Sequence, residues 1–203
     1  MSQTIAEEGV LRRSLKYFVG SILHPLRTFE ALDGERTFAV GFVLTALKWG
    51  LCEFYVFYLY YTDQVMFAKP WLNIPVEQYR FYQLFYYVPF GLALWILLSG
   101  LVQVLSRAWG GKGSFESTLN IGGIVVFTPF VFIDSLDALI IIFNGGNWSP
   151  VLNPLTRILY MLWSAALLTM GTHVIHRLGW AKSAVISVVC CMFSVLVNVI
   201  FIR

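Results

Sequence analysis

Charged residues are what this sequence has least of. Only 12% of its 203 residues are Asp, Glu, Lys or Arg, whereas 58% are hydrophobic and the mean hydropathy is +0.73. A soluble domain carries about 25% charged residues, and this chain has too little polar surface to cover a globule in water. The composition excludes an ordinary soluble enzyme or binding domain and calls for lipid as the solvent.

Cysteines and catalytic motifs are also scarce. Three cysteines, two of them adjacent at Cys190 and Cys191, predict packed thiols rather than a disulfide framework or a metal clip. The sequence has no HExxH zinc helix, no Rossmann glycine pattern and no nucleophile triad, and GGKGSF at 110–115 lacks the phosphate-loop spacing. Asp134 and Asp137 share one helix, unlike the aspartates of an intramembrane protease. We expect no enzyme, cofactor or metal, and the net charge of +3 is too small to indicate nucleic-acid binding.

Five long apolar runs are present instead. A transmembrane helix needs about 20 apolar residues to cross about 30 Å of hydrocarbon. The runs that meet this requirement are 38–61, 81–105, 119–143, 155–175 and 181–202. They predict an all-α polytopic membrane bundle of five transmembrane helices, with bends at Pro89 and Pro129. Ser114 is placed to cap the third of these helices.

A basic amphipathic segment precedes the runs. Apolar residues recur at helical spacing over 10–23, and Arg12, Arg13 and Lys16 lie toward the other side. This pattern is typical of a helix lying in the membrane interface, where the three cations contact the lipid surface. The segment is short and lacks a small-residue cleavage site, so it does not predict a cleavable signal peptide. Residues 26–32 form a second short helix, and we divide the chain into a cytosolic segment 1–36 and a transmembrane domain 37–203.

The distribution of basic residues predicts the orientation. If the N-terminus is inside, the inner segments hold nine basic residues and the outer segments hold three or four, depending on Arg157. The inner set is Arg12, Arg13, Lys16, Arg27, Arg36, Arg107, Lys112, Arg177 and Lys182, and the outer set is Lys69, Arg80 and Arg203. The positive-inside rule then favours a cytoplasmic N-terminus and an external or periplasmic C-terminus in the cell inner (plasma) membrane.

Three segments resemble the Yip-domain membrane family, the Ypt/Rab-interacting proteins and their prokaryotic relatives. ILHPLRTFEAL at 22–32 is similar to the family's entry, GGKGSF followed by Gly122, Gly123 and Pro129 to its central signature, and HVIHRLGWAKSAV at 173–185 to its last hairpin. The resemblance implies five transmembrane helices with a cytosolic N-terminus. The resemblance also implies an association with membrane traffic and small GTPases in eukaryotic members, but the long acidic, proline-rich N-terminal region common in those members is not seen in this sequence. We therefore expect a short prokaryotic-type member without a small-GTPase partner.

Ionisable groups inside the predicted spans are the candidate functional residues, because charge in a bilayer is costly without a partner or a task. Lys48 falls near the middle of the first span, and Glu53 lies about 7 Å further along it at about 1.5 Å per residue. Asp134 and Asp137 share a face of the third span, and Asn198 of the fifth span lies at comparable depth. Glu53, Asp134, Asp137 and Asn198 are therefore predicted to form one polar cluster, with Lys48 just below it.

This cluster has three interpretations. It is a structural ion pair that fixes the first span against the third, a cation or proton pathway, or a group facing an outer vestibule without a specific task. Three carboxylates against one lysine leave surplus negative charge, which would need a proton or a cation. His173 and His176 share a face at the inner end of the fourth span, but nothing at their depth completes a metal site, which favours a headgroup-facing role.

Two function hypotheses follow from these features. The first is a small transport or permeation protein in which the carboxylates handle a cation or proton. The alternative is a non-enzymatic membrane organiser or scaffold that binds anionic lipid or a partner protein through its basic helix. The glycines of the spans allow close helix approach and are compatible with homo-oligomers.

Overall fold

The computed structural model describes residues 9–61, 75–143 and 149–201, and every regular element in these ranges is helical. The elements are α1 (Val10–Leu23), α2 (Pro25–Leu32), α3 (Ala39–Tyr61), α4 (Val76–Ala108), α5 (Phe115–Pro129), a π-helical segment (Phe130–Asp134), α6 (Ser135–Phe143), α7 (Leu152–His176) and α8 (Trp180–Phe201). Lys69 and Arg203, which entered the charge count, lie outside the described residues.

Within the described ranges, five spans are long and apolar enough to cross a membrane, as predicted. They are Ala39–Tyr58, Phe81–Ala108, Phe115–Ile141, Leu152–His176 and Trp180–Asn198. We call the end of the bundle at which α3, α5 and α8 begin the entry end, and the opposite end the far end. The third span runs from α5 through the π-helical segment into α6. The π-helical segment follows Pro129, which has no N–H to donate and so interrupts the regular hydrogen-bond ladder of the helix. At the entry end, Ser114 caps α5 by accepting a hydrogen bond from the Ser117 N–H at 3.1 Å, which confirms that prediction.

Helix α5 is the centre of the bundle and packs against α1, α3, α4 and α7. Its closest neighbour is α3, where the backbones of Gly41 and Gly123 touch without an intervening side chain. Asn120 of α5 completes this contact, since its amide donates to the Thr37 carbonyl at 2.7 Å and accepts from the Gly41 N–H at 2.8 Å. A side chain of α5 therefore satisfies the first turn of α3, where backbone donors have no partner within the helix.

Helices α1 and α2 form a tight hairpin with a single connecting residue, His24. The helices fold back so sharply that a Cβ atom at Gly20 would lie 2.6 Å from Thr28 Oγ1. At the open end of the hairpin, Arg13 Nη1 pairs with Glu35 Oε2 at 3.2 Å. The sequence predicted both helices and their break near Pro25, but not that they pack face to face.

The hairpin is inserted beside the spans. Ser21 shares a buried 2.9 Å hydrogen bond with Thr128, which is the middle residue of the Phe115–Ile141 span. The Phe18 ring packs edge-on against Phe127 with centroids 5.1 Å apart, and Asp33, just after α2, pairs with Arg177 at the entry end at 3.9 Å. The amphipathic helix therefore begins at the entry end, and the hairpin tip reaches the middle of the bundle before the chain returns.

Candidate functional site

Asp134 and Asp137 converge on an arginine of the fourth span. Arg157 Nη1 lies 2.7 Å from Asp134 Oδ1, and Arg157 Nη2 lies 2.8 Å from Asp137 Oδ2. The π-helical segment between Pro129 and Ser135 carries Asp134, and Asp137 follows in the first turn of α6. Because a π turn holds more residues than an α turn, it rotates the chain that follows relative to a continuous α-helix. Both carboxylates face α7, and a guanidinium bridges them.

Asp137 is the most tightly held member of this ion-pair centre. It is 3% exposed, and its Oδ1 accepts hydrogen bonds from Asn153 Nδ2 and Thr156 Oγ1, each at 2.6 Å. Asn153 is itself fixed, since its Oδ1 accepts from the Ser149 N–H at 2.6 Å. A buried carboxylate with three partners has its acceptor capacity largely filled, so Asp137 has little capacity left for a passing ion.

Lys48 reaches the same centre from α3. It interacts electrostatically with Asp134, while its Nζ lies 3.7 Å from the centroid of the Trp49 ring. Among the described residues no ion pair joins Lys48 to either aspartate, so Arg157 is the cation that bridges the two carboxylates and Lys48 acts on Asp134 at longer range. The predicted excess of three carboxylates over one lysine arose because Glu53 was placed in the cluster and Arg157 was left out.

Glu53 and Asn198 are not brought to this centre. Glu53 lines a groove with Gly50, Phe54 and Leu84, and among the described residues its Oε2 is buried without a hydrogen-bond partner. Asn198 bonds within its own helix, where its amide donates to the Ser194 carbonyl at 2.7 Å. Comparable depth was a sound reason to consider them, but depth does not fix the direction in which a helical side chain points.

Two of the three predicted lipid-surface cations lie on the surface of α1. Arg12 and Lys16 are exposed, whereas Arg13 is half-buried against Glu35. Tyr17 donates to the same carboxylate at 3.0 Å; burial and the negative charge of Glu35 raise the pKa of its hydroxyl, which therefore remains a donor. Arg13 thus closes the helical hairpin, which leaves Arg12 and Lys16 as the residues of this set that face outward.

This difference gives a matched pair of variants. We expect Arg13→Gln to lower the free energy of unfolding by about 1 kcal/mol, because Glu35 loses a charged partner. Lys16→Gln, a similar change one turn along the same helix, should stay within about 0.5 kcal/mol of the parent. Unfolding followed by circular dichroism in detergent–lipid micelles measures both, and equal effects would contradict the assignment of Arg13 to the hairpin.

The two histidines occupy different environments. His176 is fully buried at the entry end, where its Nε2 lies 3.1 Å from Thr118 Oγ1, which in turn donates to Gln103 Oε1 at 2.6 Å. It therefore does not face lipid headgroups, contrary to the expectation from sequence. The His173 ring stacks on Trp180 with centroids 4.0 Å apart. Among the described residues, no group of three or more His, Cys, Asp or Glu side chains is arranged to hold a metal ion.

Sequence reasoning missed two residues that organise the bundle, Arg157 and Asn120. Arg157 entered only the count of basic residues, although the depth argument used for the aspartates also applies to it: it lies close to the far end of the fourth span. Asn120 carried no recognisable signal, because a polar residue in an apolar run does not reveal which backbone it will contact.

A sequence model of the Yip1 domain matches residues 19–202, which is nearly the whole chain and agrees with the resemblance seen in the three motifs. No curated protein and no solved structure matches the chain.

Proposed function

The chain belongs to the Yip1-domain family. We propose that it is a non-enzymatic membrane organiser whose helical hairpin acts as a wedge in one leaflet. The observation that carries this proposal is the depth of the hairpin. Ser21, three residues before the turn at His24, bonds to the midpoint of the third span. The hairpin therefore adds cross-section at the entry end and none at the far end. A membrane protein that is wider in one leaflet favours a membrane that is convex on the side of that leaflet.

The outer face of the hairpin is suited to lipid contact. Five large apolar side chains are each at least 39% exposed along one side, at Leu11, Leu15, Val19, Leu23 and Leu26. Arg12, Lys16, Arg27 and Arg36 are also exposed on the hairpin and the segment that follows it. A surface with apolar side chains and flanking cations binds the headgroup–acyl boundary of anionic membranes. With the N-terminus cytoplasmic, as the charge distribution predicts, the wedge lies in the cytoplasmic leaflet of the inner membrane.

We expect the reconstituted protein to be several-fold denser on small than on large vesicles of the same anionic lipid mixture, since binding by such surfaces depends on curvature. The measurement is the ratio of labelled protein to labelled lipid on single vesicles. Replacing Leu11, Leu15 and Val19 by alanine should reduce this enrichment, because the wedge loses volume where it meets lipid.

The matched control replaces three similarly exposed residues that straddle the middle of a full span, Val185, Val189 and Met192 of α8, by alanine. This variant loses a similar volume without changing one leaflet selectively, so its enrichment should equal that of the parent. Uniform density across vesicle sizes for the parent, or equal losses in both variants, would rule out the wedge.

The permeation hypothesis has less support. Arg157 pairs with both Asp134 and Asp137, the oxygens of Asp137 are already occupied by hydrogen-bond donors, and Glu53 lies in a separate groove. If the hypothesis were correct, cation or proton flux in proteoliposomes would be lost when Asp134 and Asp137 are both changed to asparagine. We expect no such flux in the parent protein.

A further inference from the structure

One face of α3 points away from the bundle and carries an acidic group. Gly50, Glu53, Phe54 and Phe57 are spaced at i, i+3, i+4 and i+7, and with Leu84 of α4 they line a groove of about 500 Å³. This spacing places them on a single stripe of the helix. Phe54 is 72% and Phe57 47% exposed. We call the stripe Gly50, Glu53, Phe54 and Phe57 the Glu53 face.

Glu53 has no counter-charge in the described part of the chain. Its Oε2 is buried without a hydrogen-bond partner. Arg157 of α7 pairs with the two aspartates of the ion-pair centre, and the Lys48 ammonium on the same helix as Glu53 lies 3.7 Å from the centroid of the Trp49 ring. A carboxyl group at the membrane-facing surface of a span is costly without a partner. No described residue of this copy supplies that partner, and a second copy of the chain is a source of one.

We propose that the Glu53 face is a docking surface for a second copy of this chain, in which the two Glu53 carboxyl groups hydrogen-bond to each other. The copies are related by a twofold axis along the membrane normal, which places the two α3 helices side by side and parallel. Each Glu53 then meets its equivalent at the same depth, because symmetry makes the interface self-complementary.

The chemistry of the groove favours this occupant. A carboxyl group that carries a proton both donates and accepts a hydrogen bond, so two such groups satisfy each other with no other residue type. A different partner would have to supply a donor at the same depth by coincidence. Gly50 meets no atom within 4 Å of an added Cβ, and a small residue of this kind lets two transmembrane helices approach closely. The phenylalanines supply the flanking packing area.

The proposal is tested by energy transfer between donor- and acceptor-labelled protein, reconstituted at decreasing protein-to-lipid ratios. We expect the parent to associate, and Glu53→Leu to weaken association about tenfold, in line with interhelical hydrogen bonds of about 1–2 kcal/mol in membranes. Glu53→Gln should remain within about threefold of the parent, since its amide also donates and accepts. Gly50→Ile should weaken association by filling the close contact, while Gly100→Ile, at another open glycine, should not.

Disulfide formation checks the geometry. In a background with the three native cysteines changed to alanine, Phe54→Cys should form a cross-linked dimer, whereas Leu162→Cys, exposed on α7, should not. Unchanged association in Glu53→Leu, equal losses in Gly50→Ile and Gly100→Ile, or cross-linking at residue 162 alone would overturn the proposal. A thermal unfolding curve for each variant separates loss of association from loss of fold, and Glu53→Leu is expected to unfold at or above the temperature of the parent.

Discussion

Replacing Arg157 by leucine is expected to lower the free energy of unfolding by about 3 kcal/mol, the lower end of the cost of breaking a buried ion pair. The lower end applies because the Arg157 side chain is 50% exposed, although the Asp137 side chain is almost fully buried. Without the guanidinium, two carboxylates three residues apart face each other inside a span. Reversible unfolding in mixed micelles measures the loss.

A compensating variant separates the charge effect from lost packing. Changing Asp134 and Asp137 to asparagine in the Arg157→Leu protein removes the orphaned carboxylates, and it should recover part of the stability because buried ion pairs are often replaceable as a unit. Glu53→Gln should leave stability within about 0.5 kcal/mol of the parent. A stable Arg157→Leu protein, or no recovery in the triple variant, would show that the arginine is not the organising cation.

The second large effect is expected at Gly123, where the centre of the bundle is packed backbone against backbone. A Cβ at this position would meet the Gly41 Cα, carbonyl carbon and carbonyl oxygen. These are backbone atoms and cannot rotate away, so α3 and α5 must separate. We expect Gly123→Ala to cost about 3 kcal/mol, the upper part of the range for overpacking, even though alanine is the better helix former by about 1 kcal/mol.

Two other glycines provide graded controls for this prediction. At Gly122 the added Cβ would lie 2.6 Å from Ser99 Oγ, a side-chain atom that can rotate, so Gly122→Ala should cost about 1 kcal/mol. At Gly100 an added Cβ meets no atom within 4 Å, and Gly100→Ala should be neutral or slightly stabilising. Equal effects at all three positions would show that the α3–α5 contact is looser than the structure indicates.

The structure also explains why the predicted polar cluster formed only in part. Asp134 and Asp137 were placed together by depth, and both contact Arg157. Depth is readable from sequence because the rise per residue of a helix is fixed. The rotation of each helix about its own axis depends on its neighbours, and here also on a π-helical segment that changes the direction of Asp134. Glu53 and Asn198 share the depth and point elsewhere.

The sequence by itself determined the environment of this protein, its five spans, the cap at Ser114 and its family. These depend on composition, on the length and period of apolar runs and on local motifs, all of which are properties of neighbouring residues. Only the tertiary structure decided that α1 and α2 insert as a hairpin to the middle of the bundle, that Arg157 bridges the two aspartates and that Glu53 is left on an outer face. The first two are contacts between residues at least 20 positions apart, as in Ser21 with Thr128. The third is the absence of such a contact. Such contacts depend on which helices pack against each other. Because these helices have similar apolar compositions, many pairings bury comparable area. The pairing is therefore fixed by glycines and by buried polar groups that contact residues of another helix.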